Sequence, residues 1–502
     1  MPTRADRRDA PDLILRSRRV VLPEGVSPAT LTIRGGRIAS IRLAAAAADD
    51  PVDVADAAVD VADLADGDAD VRDVGDLAVL PGLVDTHVHI NEPGRTEWEG
   101  FETAGLAAAA GGVTTLIDMP LNSHPVTVTA GALALKVHAA AGACLVDYGF
   151  WGGLVPASVG RIEELAGAGA LGFKAFLVDS GIAEFAPVGR AELEAAMPRI
   201  AALGLPLLVH AETPGPIETA TGEARERLAR RPELAGSHDV WLDGRPPSAE
   251  SEAIDLLAEL ALATGCRVHI VHVSSGEGVD RVAAAKEAGA PLTAETCPHY
   301  LTFDGEAVPA GAVEYKCAPP IRGARHRDAL WRALRCGVLD LVATDHSPCP
   351  PELKMDAPDG FFGAWGGIAS LGLALPALWS SSESRGISLP EIARWMSAEP
   401  ARLAGVGRSK GAIREGMDAD LVIFDPEAEY ELAAGDLRFR HPITPYLGAR
   451  MRGRIVHTLS RGRLVFSAAG GAGGSGPAGP SSTPTAPSSW RSGSHPGGTW
   501  LR

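Results

Sequence analysis

From Pro81 onward, short apolar runs alternate with stretches of helical texture rich in Ala, Leu and Glu. Eight runs stand out: "GLVDTHVHI", "GVTTLIDMP", "CLVDYGFWG", "ALGFKAFLV", "LPLLVHAE", "CRVHIVHVSS", "APLTAETCPHY" and "LDLVATDHSP". Between them lie helix-like segments such as "FETAGLAAAAG", "RAELEAAMPRIAALG" and "SEAIDLLAELALATG". Eight strand-then-helix units over about 270 residues predict an α/β fold, a (β/α)8 TIM barrel. A doubly wound sheet could also hold eight strands. The polar residues gather at the C-terminal ends of the runs, which is where a barrel collects its chemistry.

The flanks have a different texture. "LILRSRRVVLP" and "TLTIRGGRIASI" read as strands, and Gly35-Gly36 splits the second into a hairpin. After Gly407, "ADLVIFDP" and "RIVHTLSRGRLVF" read as strands again. Neither set can bury a core alone, so the two terminal segments are expected to build one small β-sandwich beside the barrel. The expected organisation is a disordered arm over 1–12, the first part of the sandwich over 13–80, the barrel over 81–407, the second part of the sandwich over 408–466, and a disordered Gly/Ser/Pro-rich tail over 467–502. An acidic low-complexity insert, about 44–73, interrupts the first sandwich segment and reads as solvated chain.

Charge and cysteine usage narrow the function classes. The 502 residues carry a formal net charge of −17, which argues against a nucleic-acid partner. Much of that charge is local, because from Asp49 to Asp76 eleven Asp stand against one Arg. No stretch is long and apolar enough to predict a membrane span, and the charged start lacks a secretory h-region. Six cysteines at irregular spacings, with no CxxC pair, suit reduced thiols in a cytoplasm.

The strand ends carry the chemistry. His87 and His89 are two apart on the first strand, so both imidazoles share a face and point into the barrel mouth. Lys174 lies on the fourth strand, His210 ends the fifth, His272 ends the sixth and Asp345 ends the eighth. Neutral imidazoles are ready ligands for zinc or for Co, Mn, Fe or Ni, and six candidate ligands suggest two divalent ions. Two adjacent cations need an anion between them. Lys174, buried in "ALGFKAFL", could supply it as a carbamate formed with CO2, since burial lowers its pKa and frees the amine. A water shared by two divalent ions becomes a hydroxide nucleophile near neutral pH, and Asp345 could carry its proton to a leaving group. Hydrolysis of a carbonyl or phosphoryl compound follows. His269, three residues before His272, faces the other way and reads as a packed histidine, while His299 and His346, also near strand ends, fall outside the six-residue set, with a supporting or substrate-side role as the alternative reading.

These residues are where the chain resembles the amidohydrolase superfamily, and within it the cyclic amidohydrolases: dihydroorotases, hydantoinases or dihydropyrimidinases, and allantoinases. "PGLVDTHVHINEPGRTEWEGFETAGLAAAAGGVTTLIDMPLN", "GFKAF", "HIVHVSS", "ETCPHY", "KCAPPIR", "ATDHSPCPPE" and "AWGGIASL" are most similar to the allantoinase branch. The resemblance implies that His87 and His89 bind one metal and His210 and His272 the other. It implies a carboxylated, bridging Lys174 and an Asp345 that is both ligand and base. It further implies a homotetramer acting on a cyclic ureide, allantoin, opened at a ring amide to allantoate. A hydantoinase-like enzyme on another cyclic ureide is the alternative, and a non-catalytic scaffold a minor one. Dihydroorotases carry an Arg where this chain has Asn91, and hydantoinases a Tyr where it has Asp179; both differences favour the allantoinase branch. Ala318 stands where allantoinases usually show Ser. Asn122, Cys317 and Ser347 are the candidate substrate contacts.

Overall fold

The computed structural model describes residues 12–44, 70–468 and 497–501. The first strands are β1 (Leu13–Leu22), β2 (Gly25–Arg34), β3 (Arg37–Leu43), β4 (Asp70–Asp73) and β5 (Ala78–Pro81). The barrel strands are β6 (Leu83–Val88), β7 (Val113–Asp118), β8 (Asp147–Phe150), β9 (Gly152–Gly153), β10 (Phe173–Phe176), β11 (Pro206–His210), β12 (Arg267–Ile270), β13 (Leu292–Thr296) and β14 (Leu341–Val342). The last three are β15 (Leu421–Glu431), β16 (Arg450–Ser460) and β17 (Arg463–Ser467).

β6 to β8 pair in parallel, and so do β9 to β14, in chain order. β8 and β9 are one barrel strand broken at Trp151, whose indole N–H donates to the carbonyl of Thr86 at 2.8 Å. Eight strands therefore stand in order. The first and last meet through a bridge between Val88 and His346 and a hydrogen bond from His89 N to His346 O of 2.8 Å. Below that seam the Thr344 hydroxyl donates to Asp85 Oδ2 at 2.6 Å. The helix-like segments are helices, among them Phe101–Ala110, Arg190–Ala202 and Pro247–Thr264. Their apolar faces join the strands in a large buried core.

The terminal segments build one continuous sheet in the order β17-β16-β15-β5-β1-β2-β3, with β4 also paired to β1. Leu15, Leu31, Ile33, Val79, Leu421 and Ile423 enclose a core of its own, while Leu80, Val422 and Phe424 face the barrel. Register shifts in β1 and β15 bend the strands around that core. Gly35 and Gly36 take φ of 55° and 75°, the left-handed pair that a two-residue hairpin needs.

Two expectations about the polar segments need correction. The acidic insert does not run to residue 73: Asp70–Asp73 form β4, parallel to β1, with Val71 opposite Ile14. Backbone pairing there outweighs the acidic composition. The expected arm and most of the insert and tail lie outside the described residues. The end of the tail is ordered against the barrel, not free in solvent. Tyr148 N donates to Thr499 O at 3.0 Å, Leu501 N to Tyr148 O at 2.8 Å, and Thr499 N to Asp147 Oδ1 at 2.7 Å. The break in the third barrel strand leaves β8 with backbone groups to pair, and residues 497–501 pair them. Among the described residues no helix is long and apolar enough to cross a membrane.

Candidate metal centre

His87, His89, His210, His272 and Asp345 line one cavity of about 310 Å³ at the C-terminal mouth of the barrel, together with Asn122, Phe176, Arg245, Ala318, Ser347 and Trp365. Lys174 lies beneath it, fully buried. The backbone is strained at these positions. Asn91, Asn122, His272 and Asp345 all have φ between 42° and 67°, a region that non-glycine residues rarely occupy. The strand ends turn sharply there, and the turns aim His272 and Asp345 inward.

Buried carboxylates set the tautomers of two histidines. His87 Nδ1 is 2.5 Å from Glu295 Oε1, and His210 Nε2 is 2.6 Å from Glu212 Oε2. Each carboxylate accepts the ring proton on the outer side, so His87 Nε2 and His210 Nδ1 turn bare lone pairs toward the cavity. Arg245 binds Glu212. Burial raises the pKa of Glu212, but Arg245 and His210 outweigh it and hold the carboxyl at about 2. Glu295 also holds His269, whose Nε2 is 3.0 Å away and whose Nδ1 bonds Thr293 at 2.8 Å. His269 is thus a hydrogen-bonded histidine beneath the site. His89 Nδ1 is 3.3 Å from the Asn122 amide, and turning that amide over would let the ring donate to it.

The inward atoms lie close to one another. His87 Nε2 is 3.1 Å and His89 Nε2 3.5 Å from Asp345 Oδ1, and His210 Nδ1 is 3.0 Å from His272 Nε2. Burial, and then the neighbouring Lys174 charge, push His87 well below the usual histidine range; burial and His210 do the same to His272. A lone pair facing a carboxylate oxygen at 3.1 Å is repulsive unless a cation stands between them. Lys174 Nζ has no hydrogen-bond partner, and its nearest aromatic contact is the ring of Phe176 at 4.9 Å. Burial lowers its pKa to about 8 against the pull of Asp345 and Glu295. Imidazoles, an orphaned amine and a carboxylate, all buried, fit a divalent-metal centre.

The comparisons with known proteins agree. The Amidohydrolase family model matches residues 78–465. An allantoinase of Streptomyces avermitilis is 44% identical over 457 residues, covering 91% of this chain and 96% of that protein. An allantoinase of Rubrobacter xylanophilus is 47% identical, covering 78% of this chain and 85% of that one. This chain belongs to the amidohydrolase family, in its allantoinase branch. Among solved structures, the L-hydantoinase (dihydropyrimidinase) of Arthrobacter aurescens superposes with a TM-score of 0.80 at 30% identity, over 90% of this chain and 96% of that one. The fold is accordingly the amidohydrolase barrel with a second β-domain built from the terminal strands.

Within this amidohydrolase site the three expected substrate contacts separate. Asn122 and Ser347 line the cavity. Cys317 does not: its thiol turns to Pro319 O at 3.2 Å, and its neighbours Lys316 and Ala318 form the wall instead. Alternation along an extended segment sends the middle residue of the three to the far side. Asn91 is also withdrawn, with its amide directed to Pro348 O. Asp179 lines the cavity and accepts from Gly181 N at 3.0 Å. His346 accepts two backbone N–H groups, from Ser370 and Leu371, and so serves the loop rather than the cavity. Glu212, Glu295 and Arg245 were missed in the sequence. Glu212 had a signal: it follows His210 by two, the same spacing that singled out His87 and His89.

Proposed function

We propose that this chain is an allantoinase, hydrolysing a ring amide of allantoin to give allantoate. The observation that carries this reading is the set of inward lone pairs on His87 and His210, fixed by Glu295 and Glu212, around a buried amine without a partner. His87, His89, His210, His272 and Asp345 would hold two divalent ions, zinc first among Co, Mn, Fe and Ni, with Lys174 as a carbamate between them. When bound, such ions polarise a carbonyl and make water acidic enough to attack near neutral pH. The carbamate forms when the free Nζ amine bonds to the carbon of CO2 and releases a proton to solvent.

The chain's own residues do the rest. Asp345, which lines the cavity, takes the proton of the attacking water at a carboxylate oxygen and hands it to the departing ring nitrogen. Phe176 stacks on His210 with centroids 4.7 Å apart and walls off water on that side. Asn122 and Ser347 offer polar contacts to a neutral ring, and Asn91 offers no cation for a ring carboxylate. The six cysteines are free thiols, five of them buried, which supports a cytoplasmic enzyme. A homotetramer is the assembly expected from the family, and light scattering checks it.

The test is a substrate panel. Protein loaded with metal and bicarbonate should consume allantoin ahead of dihydroorotate, hydantoin and dihydrouracil, and should carry two metals per chain. Faster turnover of hydantoin or dihydrouracil would move the assignment to the hydantoinase-like alternative. A chain that binds no metal would be the scaffold.

A further inference from the structure

The geometry points to an inhibitory cation site behind the catalytic one, formed by Cys297, His299 and Asp345 and suited to a thiophilic divalent cation. The inhibition rests on the role of Asp345 in the reading above; the binding does not. Cys297 Sγ, a ring nitrogen of His299 and a carboxylate oxygen of Asp345 lie within 4.8 Å of one another, and all three residues are buried. Cys297 follows β13 directly, and His299 lies in the short helix Pro298–Thr302 that begins there.

The independent sign is His299. Its ring is fully buried against Tyr300, with centroids 4.2 Å apart, and neither ring nitrogen has a hydrogen-bond partner. A buried polar atom left unsatisfied costs about 1–3 kcal/mol, so two on one ring call for a cause. A vacant ligand position is such a cause. The donor set also differs in kind from the main cluster. Thiolate, imidazole and carboxylate suit cadmium, mercury or excess zinc, whereas the main cluster offers only nitrogen and oxygen. Of the clusters found among the described residues, Asp147, Asp418 and Asp420 already enclose the ammonium of Lys410. The Cys297 cluster encloses no such cation. Binding there forms a sulfur–metal bond, releases the thiol proton to solvent and draws on the carboxylate that also faces His87 and His89.

Cadmium is the probe. The enzyme loaded with two zinc ions per chain and freed of excess zinc, in a Cys336→Ser background that removes the exposed thiol, is titrated with Cd2+. One additional metal per chain should bind, and the ultraviolet cadmium–thiolate band should grow with the same midpoint as the loss of activity. Cys297→Ser should abolish the band and raise the inhibitory midpoint at least tenfold. His299→Gln, which keeps the thiol, should also raise it at least tenfold and serves if the serine variant fails to fold. No band, a band undiminished in Cys297→Ser, or exchange of the resident zinc with no net gain of metal would each overturn the proposal. The band and the metal count are read without any substrate, so a failure on allantoin is distinguishable from a failure here.

Discussion

Lys174 and Lys410 are both buried lysines, at opposite ends of the barrel, and they have opposite fates. Lys410 Nζ lies 2.7 Å from Asp147, 3.1 Å from Asp418 and 2.7 Å from Asp420. Burial lowers its pKa, but Asp420 and Asp147 more than reverse that, and the net direction is upward. Lys174 has Asp345 and Glu295 in its field but no hydrogen-bond partner, and burial wins. Burial alone therefore does not decide what a lysine becomes. The number of carboxylates in direct contact does: three make a permanent structural cation, none leave an amine free to react.

The largest expected effect comes from removing the reactive amine. Lys174→Gln should lower kcat/KM by about 10^4-fold and reduce the metal count below two, with the circular dichroism unchanged. An active Lys174→Gln enzyme with both metals would break the comparison from one side. Lys410→Met attacks it from the other. Three buried carboxylates would lose their cation, at a cost of about 3–5 kcal/mol in denaturant titration, while activity per folded molecule stays the same. If turnover fell instead of stability, Lys410 would belong to the chemistry.

The two lysines also show how far the sequence could be read. The eight strands, the gathering of histidines and Asp345 at one cavity and the composite terminal sheet were legible, because apolar runs and i, i+2 spacing are local signals. Apolar flanks, however, do not identify a reactive lysine. Lys136, in "ALALKVHAA", is as buried as Lys174 and forms a plain ion pair with Asp118 at 2.6 Å. What separates the two lies in other strands and cannot be seen in the flanks. Glu295 was hidden for the same reason: it reaches His87 from 208 residues away. Cys317 was misplaced because "KCAPP" does not show which of three neighbours faces the cavity. The tail's low-complexity composition pointed to solvent, and only the break in the third barrel strand explains why its last residues dock.

Two smaller effects sharpen the contrast. Glu212→Gln keeps the shape of the contact to His210 but removes the negative charge. Metal affinity should fall about 10- to 100-fold by equilibrium dialysis, with a similar loss for Glu295→Gln. The protonation of Lys174 can be read through reactivation. Only the neutral amine takes up CO2, so between pH 6 and the pKa of about 8 the neutral fraction rises with pH. Reactivation of stripped enzyme by metal at a fixed dissolved CO2 concentration should quicken by about ninefold from pH 6 to 7 and about fivefold from pH 7 to 8, then level off. A flat profile would mean that Lys174 is already neutral at pH 6, and a profile still rising about tenfold per unit well above pH 8 would mean that it is held as tightly as Lys410.

The smallest expected effect lies where the tail meets the Lys410 cluster. Thr499 N donates to Asp147, the same residue that receives Lys410 and Arg461. Gly498 is fitted closely to Val146, since a Cβ there would lie 1.5 Å from the Val146 carbonyl oxygen. Ending the chain at residue 496 removes two backbone hydrogen bonds to Tyr148, one from Gly498 N to Cys144 O and one to a carboxylate, and it also spares the entropy of ordering these residues. The net loss should be about 1 kcal/mol in denaturant titration, with activity unchanged, because Asp147 keeps both of its cations. A loss as large as that of Lys410→Met would mean that the tail, and not the lysine, holds Asp147 in place. The contrast between the two ends of the barrel would then rest on a docked peptide and not on carboxylates gathered around one ammonium.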